Sequence, residues 1–550
     1  MLTRRQFLGH VLGIGGALAG TSLLAACGQP AAAPPTAPPA KPTAAPAAPA
    51  AKPTEAPKPA AAPPTQAAPA AAKPGGTLVV GFSIDPQSMD PAESGEPQAR
   101  MVRGSIHEAL IDVDEQGKPI PWLADSWEQT DPTTYVFRLR QGIKFHDGTT
   151  LDAEAVKLNI ERMANPDLKN IWRSEIAQLD KVEVVDSSTV RVKAKAAFVA
   201  FIIPFYDMNG MARSPAAMQK WGTDYGIHPV GTGPFKFIEY TKDNQTILER
   251  NPDYWVKDKP NLERIVFRPI PASGTRLTEL RSGGIHIAED MPFQDLERLK
   301  GASDVVVSEK TGFRVDWLFF NTQAGPGSNK QFRQAWGWLM DRDVIQSVVY
   351  KNTGSPAWDL LLPGSPYHDP NYKPTSRNLD KAKDLLAASG VKLPAEFTVY
   401  VHQDPVRQQV AQILQANGAE VGVGFNITVE DSSAWFARHE NTTDFTMGLT
   451  WWGYRPDPDQ YLGVNLVTKG SWNLPKYSNP EMDRLLDAQR VEGDQASRRK
   501  LMRQIAELTT EDSPLIPFHY GSNIKGLSPK VQGFVHRPDG LIRFLDVRLG

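Results

Sequence analysis

The stretch TYVFRLRQGIKFHDGTTLDAEAVKLNIERM, residues 134–163, changes its hydrophobic period halfway along. In the first part Tyr135, Phe137 and Leu139 alternate with Val136, Arg138 and Arg140, the two-residue period of a strand with one buried face. In the second part Asp152 stands as a cap ahead of Val156, Ile160 and Met163, which fall on one side of a helix. Strand and helix thus follow each other within 30 residues, which defines a mixed class.

The same two periods recur outward from this point. GGTLVVGFSIDP (75–86) carries Leu78, Val80, Phe82 and Ile84 at strand spacing, and TVRVKAKA (189–196) alternates again. SNPEMDRLLDAQR (478–490) offers Asn479 as a cap and Pro480 at the first helical position, with Met482, Leu485 and Leu486 inward. DKAKDLLAASG (380–390) ends on Gly390, a helix stop. No internal repeat is visible. The class is α/β or α+β, and 550 residues predict two or three domains.

Charge excludes one large group of functions. Lys+Arg of 60 against Asp+Glu of 62 leaves a net charge of −2, which supplies no long-range field toward nucleic acid. An apolar fraction of 41% is enough for real cores.

The N-terminus, MLTRRQFLGHVLGIGGALAGTSLLAACGQ, places Arg4 and Arg5 before a small, apolar run from Val11 to Ala26. That run is short and broken by Gly15, Gly16 and Gly20, which suits a processed signal better than a membrane helix. Cys27 is the only cysteine, so disulfides and Cys-based metal sites are excluded. Residues 28–74 are almost all Ala and Pro and bury too little to fold. Extended at ~3.1 Å per residue, they form a tether reaching up to ~140 Å.

TRRQFLG (3–9) resembles the twin-arginine export signal, and LLAAC (23–27) resembles the lipobox of bacterial lipoproteins, which implies lipidation at Cys27 and anchoring to the outer face of the cytoplasmic membrane. Further blocks resemble the solute-binding proteins of oligopeptide and dipeptide uptake, family 5. They include GGTLVVGFSIDPQSMDP (75–91), the opening stretch, HPVGTGPFKFIEYTKDNQTILERNPDYW (228–255), ELRSGGIHIAEDMP (279–292), FFNTQ (319–323), FRQAWGWLMDRDVI (332–345) and DSPLIPFHY (512–520).

The resemblance implies a type II periplasmic-binding-protein architecture, α/β, with two lobes hinged about a ligand cleft. Lobe I would comprise residues 75–115, 220–305 and 520–550, with an inserted domain at 116–219, and lobe II would comprise 306–519. Crossings near WLFFNTQ and LIPFHY would be the hinge. The implied function is capture of a small polar solute and its delivery to the permease subunits of an ABC importer, by a monomer needing no cofactor.

The segment LTWWGYRPDPDQYLG (449–463) is the candidate ligand seat, lying where a strand ends in Gly453, Pro456 and Pro458. By resemblance Trp451 matches a pocket tryptophan of the peptide binders. Three residues on, those binders place an aspartate that pairs with the peptide's α-ammonium; here that position is Tyr454. A phenol does not supply the carboxylate's charge, and charge-assisted bonds are roughly twice as strong as neutral ones.

This departure points to an oligosaccharide or another non-peptide solute, with Trp451, Trp452, Tyr454 and Tyr461 as aromatic platforms. Acids able to restore an ammonium site are Asp457 or Asp459 nearby, and Glu96, Glu289 or Asp290 from the first lobe. Arg455 is a candidate for a carboxylate or a sugar face, and Asn321 lies at the hinge crossing. An ordinary peptide binder and a sensory lipoprotein of the same fold are the alternatives.

An enzyme reading finds little to stand on. The histidines are dispersed without HExxH, and neither a GxSxG elbow nor a phosphate loop with its Lys-Ser/Thr is present. No metal site is expected.

Overall fold

The protein is described by a computed structural model covering residues 75–550 except 87, 94–96, 116, 169, 171 and 538. The expected signal, Cys27, the tether and Glu96 lie outside the described residues.

A nine-stranded mixed sheet runs through the molecule. Its order is Met447–Gly453, Val306–Phe320, Leu515–Leu527, Ile287–Glu289, Thr77–Phe82, Arg264–Pro269, Gln245–Arg250, Phe235–Thr241, with Ser355–Pro356 beside Leu515–Leu527. Thr77–Phe82 pairs in parallel with both its neighbours, and Leu78, Val80 and Phe82 turn into the core as their spacing predicts. Ile84 departs from the pattern: the strand ends at Phe82, and Ile84 is exposed.

The two longest strands, Val306–Phe320 and Leu515–Leu527, pair antiparallel along their length with register shifts between Thr311 and Arg314 and between Asp316 and Trp317. The second shift faces Pro517, which has no N–H for the ladder. Its carbonyl is taken instead by Arg342, whose Nε and Nη2 donate at 3.2 and 2.9 Å. Bulged strands bend and twist more than regular ones, so the sheet changes direction here.

Separate cores form on this sheet and beside it. Leu78–Ile106, Phe235–Ile287 and Leu527–Val547 contribute to one. A second forms on the antiparallel sheet Ala124–Asp131, Thr134–Leu139, Thr189–Ala194, Leu179–Asp186, where Phe137 packs with Val190, Val192, Val156 and Ile160. Burying a side chain of that size stabilises by roughly 1.5–3 kcal/mol. Leu110, Ile111 and Val113, which sequence reading places with lobe I, pack in this second core. The third region draws on residues 315–520 and holds Trp317, Trp336 and Trp435 fully buried.

The helix reading of the opening stretch holds. Ala153–Ala164 is capped by Asp152, whose carboxylate accepts from the Ala155 N–H at 2.8 Å. Pro480–Val491 is capped by Asn479, and Leu379–Ser389 stops at Gly390 with φ of +67°. A parallel pair, Ala395–His402 and Val423–Glu430, is joined by helix Pro405–Ala419.

Candidate functional site

Strand Met447–Gly453 begins in the core and ends outside it. Met447 and Leu449 are buried, whereas Trp451 is 40% exposed and Trp452 half-buried. The strand's last residues overrun the third core into a cleft of about 460 Å3. Ligand pockets commonly hold ~300–1,000 Å3, so this one is of ordinary ligand-binding size.

One wall comes from the third region. Trp451 stands beside Asp316 across the strand pair, and the Arg314 guanidinium lies 5.4 Å from its ring centre. Trp452 meets Trp472 edge-on at 5.5 Å, and Phe436 meets Trp472 at 5.7 Å. His402 and Arg407 reach the cleft from the junction of strand Ala395–His402 and the following helix. Burial, reinforced by Arg407, pushes His402 down to about 4, so a neutral imidazole faces the cleft.

The opposite wall comes from the other two regions: Pro97 and Arg100 on helix Pro97–Ile106, Trp172, and Asp539 near the C-terminus. Trp172 lies between two guanidinium groups, Arg100 at 5.9 Å and Arg455 at 5.5 Å from its ring centre. Asp539 is held by a tight turn. Its Oδ1 accepts from the Leu541 N–H at 3.0 Å, and Gly540 follows at φ of +71°, pressed against the Phe313 ring where a Cβ has no room.

Tyr454 joins the two walls. It is 6% exposed, its N–H donates to the Phe313 carbonyl at 2.6 Å, and its hydroxyl lies against Gly117. Burial, then the nearby Asp539 carboxylate, raise its pKa well above the ordinary tyrosine value, so the phenol stays neutral. Arg455 adds a bridge to Glu175 at 3.6 Å.

The structure therefore brings Trp451, Trp452, Tyr454 and Arg455 together in the cleft. It sends the other candidates elsewhere. Asp457 turns inward to Arg498, with oxygens 2.6 and 2.8 Å from the guanidinium nitrogens, and Asp459 is held by Arg490 at 2.9 Å. The buried Arg498 and the partly exposed Arg490, both within reach of one turn, explain why these acids do not face the cleft.

Asn321 spends its amide on the Thr443 and Phe445 carbonyls, at 2.8 and 3.1 Å, and so braces a loop. Glu289 is buried against Gln98, and Asp290 is exposed beside Ser83; neither lines the cleft. Tyr461 is fully buried in the third core.

Sequence reasoning missed Arg100, Trp172, Phe313, His402, Arg407, Trp472 and Asp539. For His402 and Arg407 a signal existed: VHQDPVR reads as a strand end, a cap and a helix start, the place where α/β sheets bind ligands. For Trp172 and Asp539, far apart in sequence, there was none. Among the described residues no group of three or more His, Cys, Asp or Glu is placed to hold a metal.

Two walls of aromatic and paired charged groups, brought together from separate regions of the chain, form the kind of cleft that bilobal solute receptors use. Comparison with known proteins agrees. The profile of the bacterial extracellular solute-binding proteins, family 5, matches residues 118–473, and the chain belongs to that family. A glutathione-binding protein of Pectobacterium atrosepticum is 29% identical over 475 residues, 84% of this chain and 92% of that protein.

Solved structures with the same fold include HbpA2 from Haemophilus parasuis, with a TM-score of 0.76 and 26% identity over 86% of this chain and all of that one. The PBP AgaA from A. tumefacien R10, in complex with agropinic acid, superposes with a TM-score of 0.74 and 27% identity, covering 86% and 99%. DppA from Helicobacter pylori, in complex with peptide STSA, gives 0.74 and 26%, covering 86% and 98%. The protein is a solute-binding receptor of the ABC-importer type.

Proposed function

We propose that this receptor is lipid-anchored through Cys27 after twin-arginine export, that its lobes close about the bulged strands, and that its solute carries no free α-ammonium group. Lobe I comprises residues 75–109, 220–305 and 520–550 and lobe II residues 306–519. The inserted domain takes Leu110–Val113 with 116–219, since those residues pack there. The register shifts beside Arg314 and Pro517 are the natural place for bending, and the cleft lies against them. A permease can sense a closure that buries the solute.

The observation that carries the ligand reading is Tyr454. It occupies the position where resemblance places an ammonium-binding acid, its phenol is neutral, and it is packed against Gly117 rather than presented to a ligand. Asp457 and Asp459 do not compensate, because each is committed to an arginine, Arg498 and Arg490 respectively. The agropinic acid complex of a structural relative accords with a non-peptide solute; the glutathione-binding relative favours a peptide-like one.

Titration calorimetry of the full chain with Met-Leu and reduced glutathione separates the two. The expected result is no binding tighter than millimolar. Micromolar binding of either, lost when its α-amine is acetylated, overturns the reading.

A further inference from the structure

Residues 116–219 are joined to the segments before and after them by buried charge. Asp90 lies 3.4 Å from Arg213 and 2.6 Å from Arg162, and both Asp90 and Arg213 are almost wholly enclosed. Glu108 accepts from the indole N–H of Trp122 at 2.9 Å and from the Tyr254 hydroxyl at 2.6 Å. Breaking a pair of this kind leaves a charge in the interior without its partner, so these segments move as one body.

The same residues meet 306–519 more lightly. Arg455 Nε lies 3.6 Å from Glu175 Oε1, with about a fifth of each side chain exposed. The Tyr454 hydroxyl rests on Gly117. A third contact is a backbone hydrogen bond, in which the Val199 N–H donates to the Arg490 carbonyl at 2.8 Å. Arg490 stands in the last turn of helix Pro480–Val491, where carbonyls have no intrahelical donor. The Gln489 carbonyl is met by Arg498 Nε at 3.0 Å from the following helix, whereas that of Arg490 is met from across.

Each end of these contacts is fixed to its own core. Ile176, next to Glu175, and Ala200 and Phe201, next to Val199, are buried with Phe137. Leu485 and Leu486, on the Arg490 helix, are buried in the third region. Asn209, itself fully buried, donates to the Trp172 carbonyl at 3.3 Å and to Glu175 Oε2 at 3.5 Å, which steadies the acid opposite Arg455. An ion pair open to water shifts an equilibrium only a few-fold, far less than the loss of a buried one. Of the two joints, the one at 306–519 is therefore the one that opens.

We propose that lobe II closes on the inserted domain as well as on lobe I, and that Glu175–Arg455 with Val199–Arg490 is the latch of that closure. The inserted domain, carried by lobe I, bears one half of it. No latch group needs the solute as its partner, so the latch sets the closed fraction, and the apparent Kd is the intrinsic Kd of the closed form divided by that fraction. Glu175 and Arg455 act through this equilibrium and are positioning residues. The inference rests on the two-lobe reading above and adds which surfaces meet.

The test is amide hydrogen exchange of the full chain, dialysed from mild denaturant to strip bound solute, with its fold checked by circular dichroism and the exchange read to single residues by fragmentation mass spectrometry. In the parent, the Val199 amide exchanges at least about tenfold more slowly than an unprotected one. Glu175→Gln and Arg455→Gln each speed it by about fivefold, the scale of a partly exposed ion pair. Amides within strand Thr134–Leu139 and helix Pro480–Val491 keep their rates. The double variant exchanges no faster at Val199 than Arg455→Gln alone, because a single pair is removed.

Free exchange of Val199 in the parent overturns the latch and leaves solute capture by the cleft standing. A protected Val199 that neither variant speeds overturns the role of Glu175 and Arg455. Variants that speed Val199 together with the strand and the helix show that the bodies open only as one, and that result overturns the two-lobe reading along with the latch.

Discussion

The Tyr454 hydroxyl fits against Gly117, which sits at φ of +79° in the loop Asp114–Lys118. A Cβ at residue 117 collides with the phenol oxygen, and the backbone conformation disfavours any L side chain. The segment bearing the candidate seat thus meets the turn at Gly117 through a contact that only glycine permits.

Gly117→Ala is expected to lower unfolding stability by about 1–3 kcal/mol, from positive φ and the clash together. Adding Tyr454→Phe removes the colliding oxygen and recovers the steric share while leaving the backbone share. A double-mutant cycle by urea denaturation measures both. Additive losses contradict direct contact.

Asp457 and Trp451 separate structure from function within one short segment. Asp457→Ala leaves the Arg498 guanidinium buried and unpaired, with an expected loss of about 3–5 kcal/mol. Trp451→Ala, at a 40% exposed position, costs less than about 1.5 kcal/mol of stability but removes an aromatic platform. Chemical denaturation of the two variants checks the ranking. A small loss for Asp457→Ala contradicts its place in the fold.

Acid and neutral pH act on stability through different buried carboxylates. Burial alone raises Asp90, but Arg213 and then Arg162 outweigh it and hold its pKa at about 2, against 3.8 unfolded. A depressed folded pKa contributes stability present above pH 3.8 and lost as pH falls through 2, here about 2 kcal/mol.

Glu108 runs the other way. Burial raises it to about 7 from 4.5, although Tyr254, Trp255 and Trp122 donate to it. The folded state then binds the extra proton between pH 4.5 and 7, and stability falls across that window by about 3 kcal/mol. Four histidines pushed down to about 4 by burial, His146, His402, His439 and His536, act in the opposite sense over much of the same window. The Glu108 share is therefore read as a difference: in denaturation from pH 4 to 8, Glu108→Gln gains stability relative to the parent as pH rises from 4.5 to 7, and a difference that does not change with pH contradicts the assignment.

Periodicity and capping made much of the scaffold legible. Asp152, Asn479 and Gly390 begin or end helices where their residue types require, and Phe137 is buried where alternation puts it. Local rules failed where tertiary partners decide. Asp457 and Asp459 read as free acids because Arg498 and Arg490 lie 41 and 31 residues away, and Tyr461 reads as a platform because nothing local shows the core that covers it. Asp539 and Trp172 share a cleft through topology alone, which no spacing records. Alternation groups Trp451 with Met447 and Leu449, which are buried; Trp451 is exposed because the strand outruns its core, and the break at Gly453, Pro456 and Pro458 is the local sign of that end.

Native mass spectrometry of the gently purified full chain tests the central claim most directly. The account predicts a bound mass, released by mild denaturation, that fits a small polar solute without a free α-ammonium group. A ladder of masses spaced by amino-acid residues contradicts it.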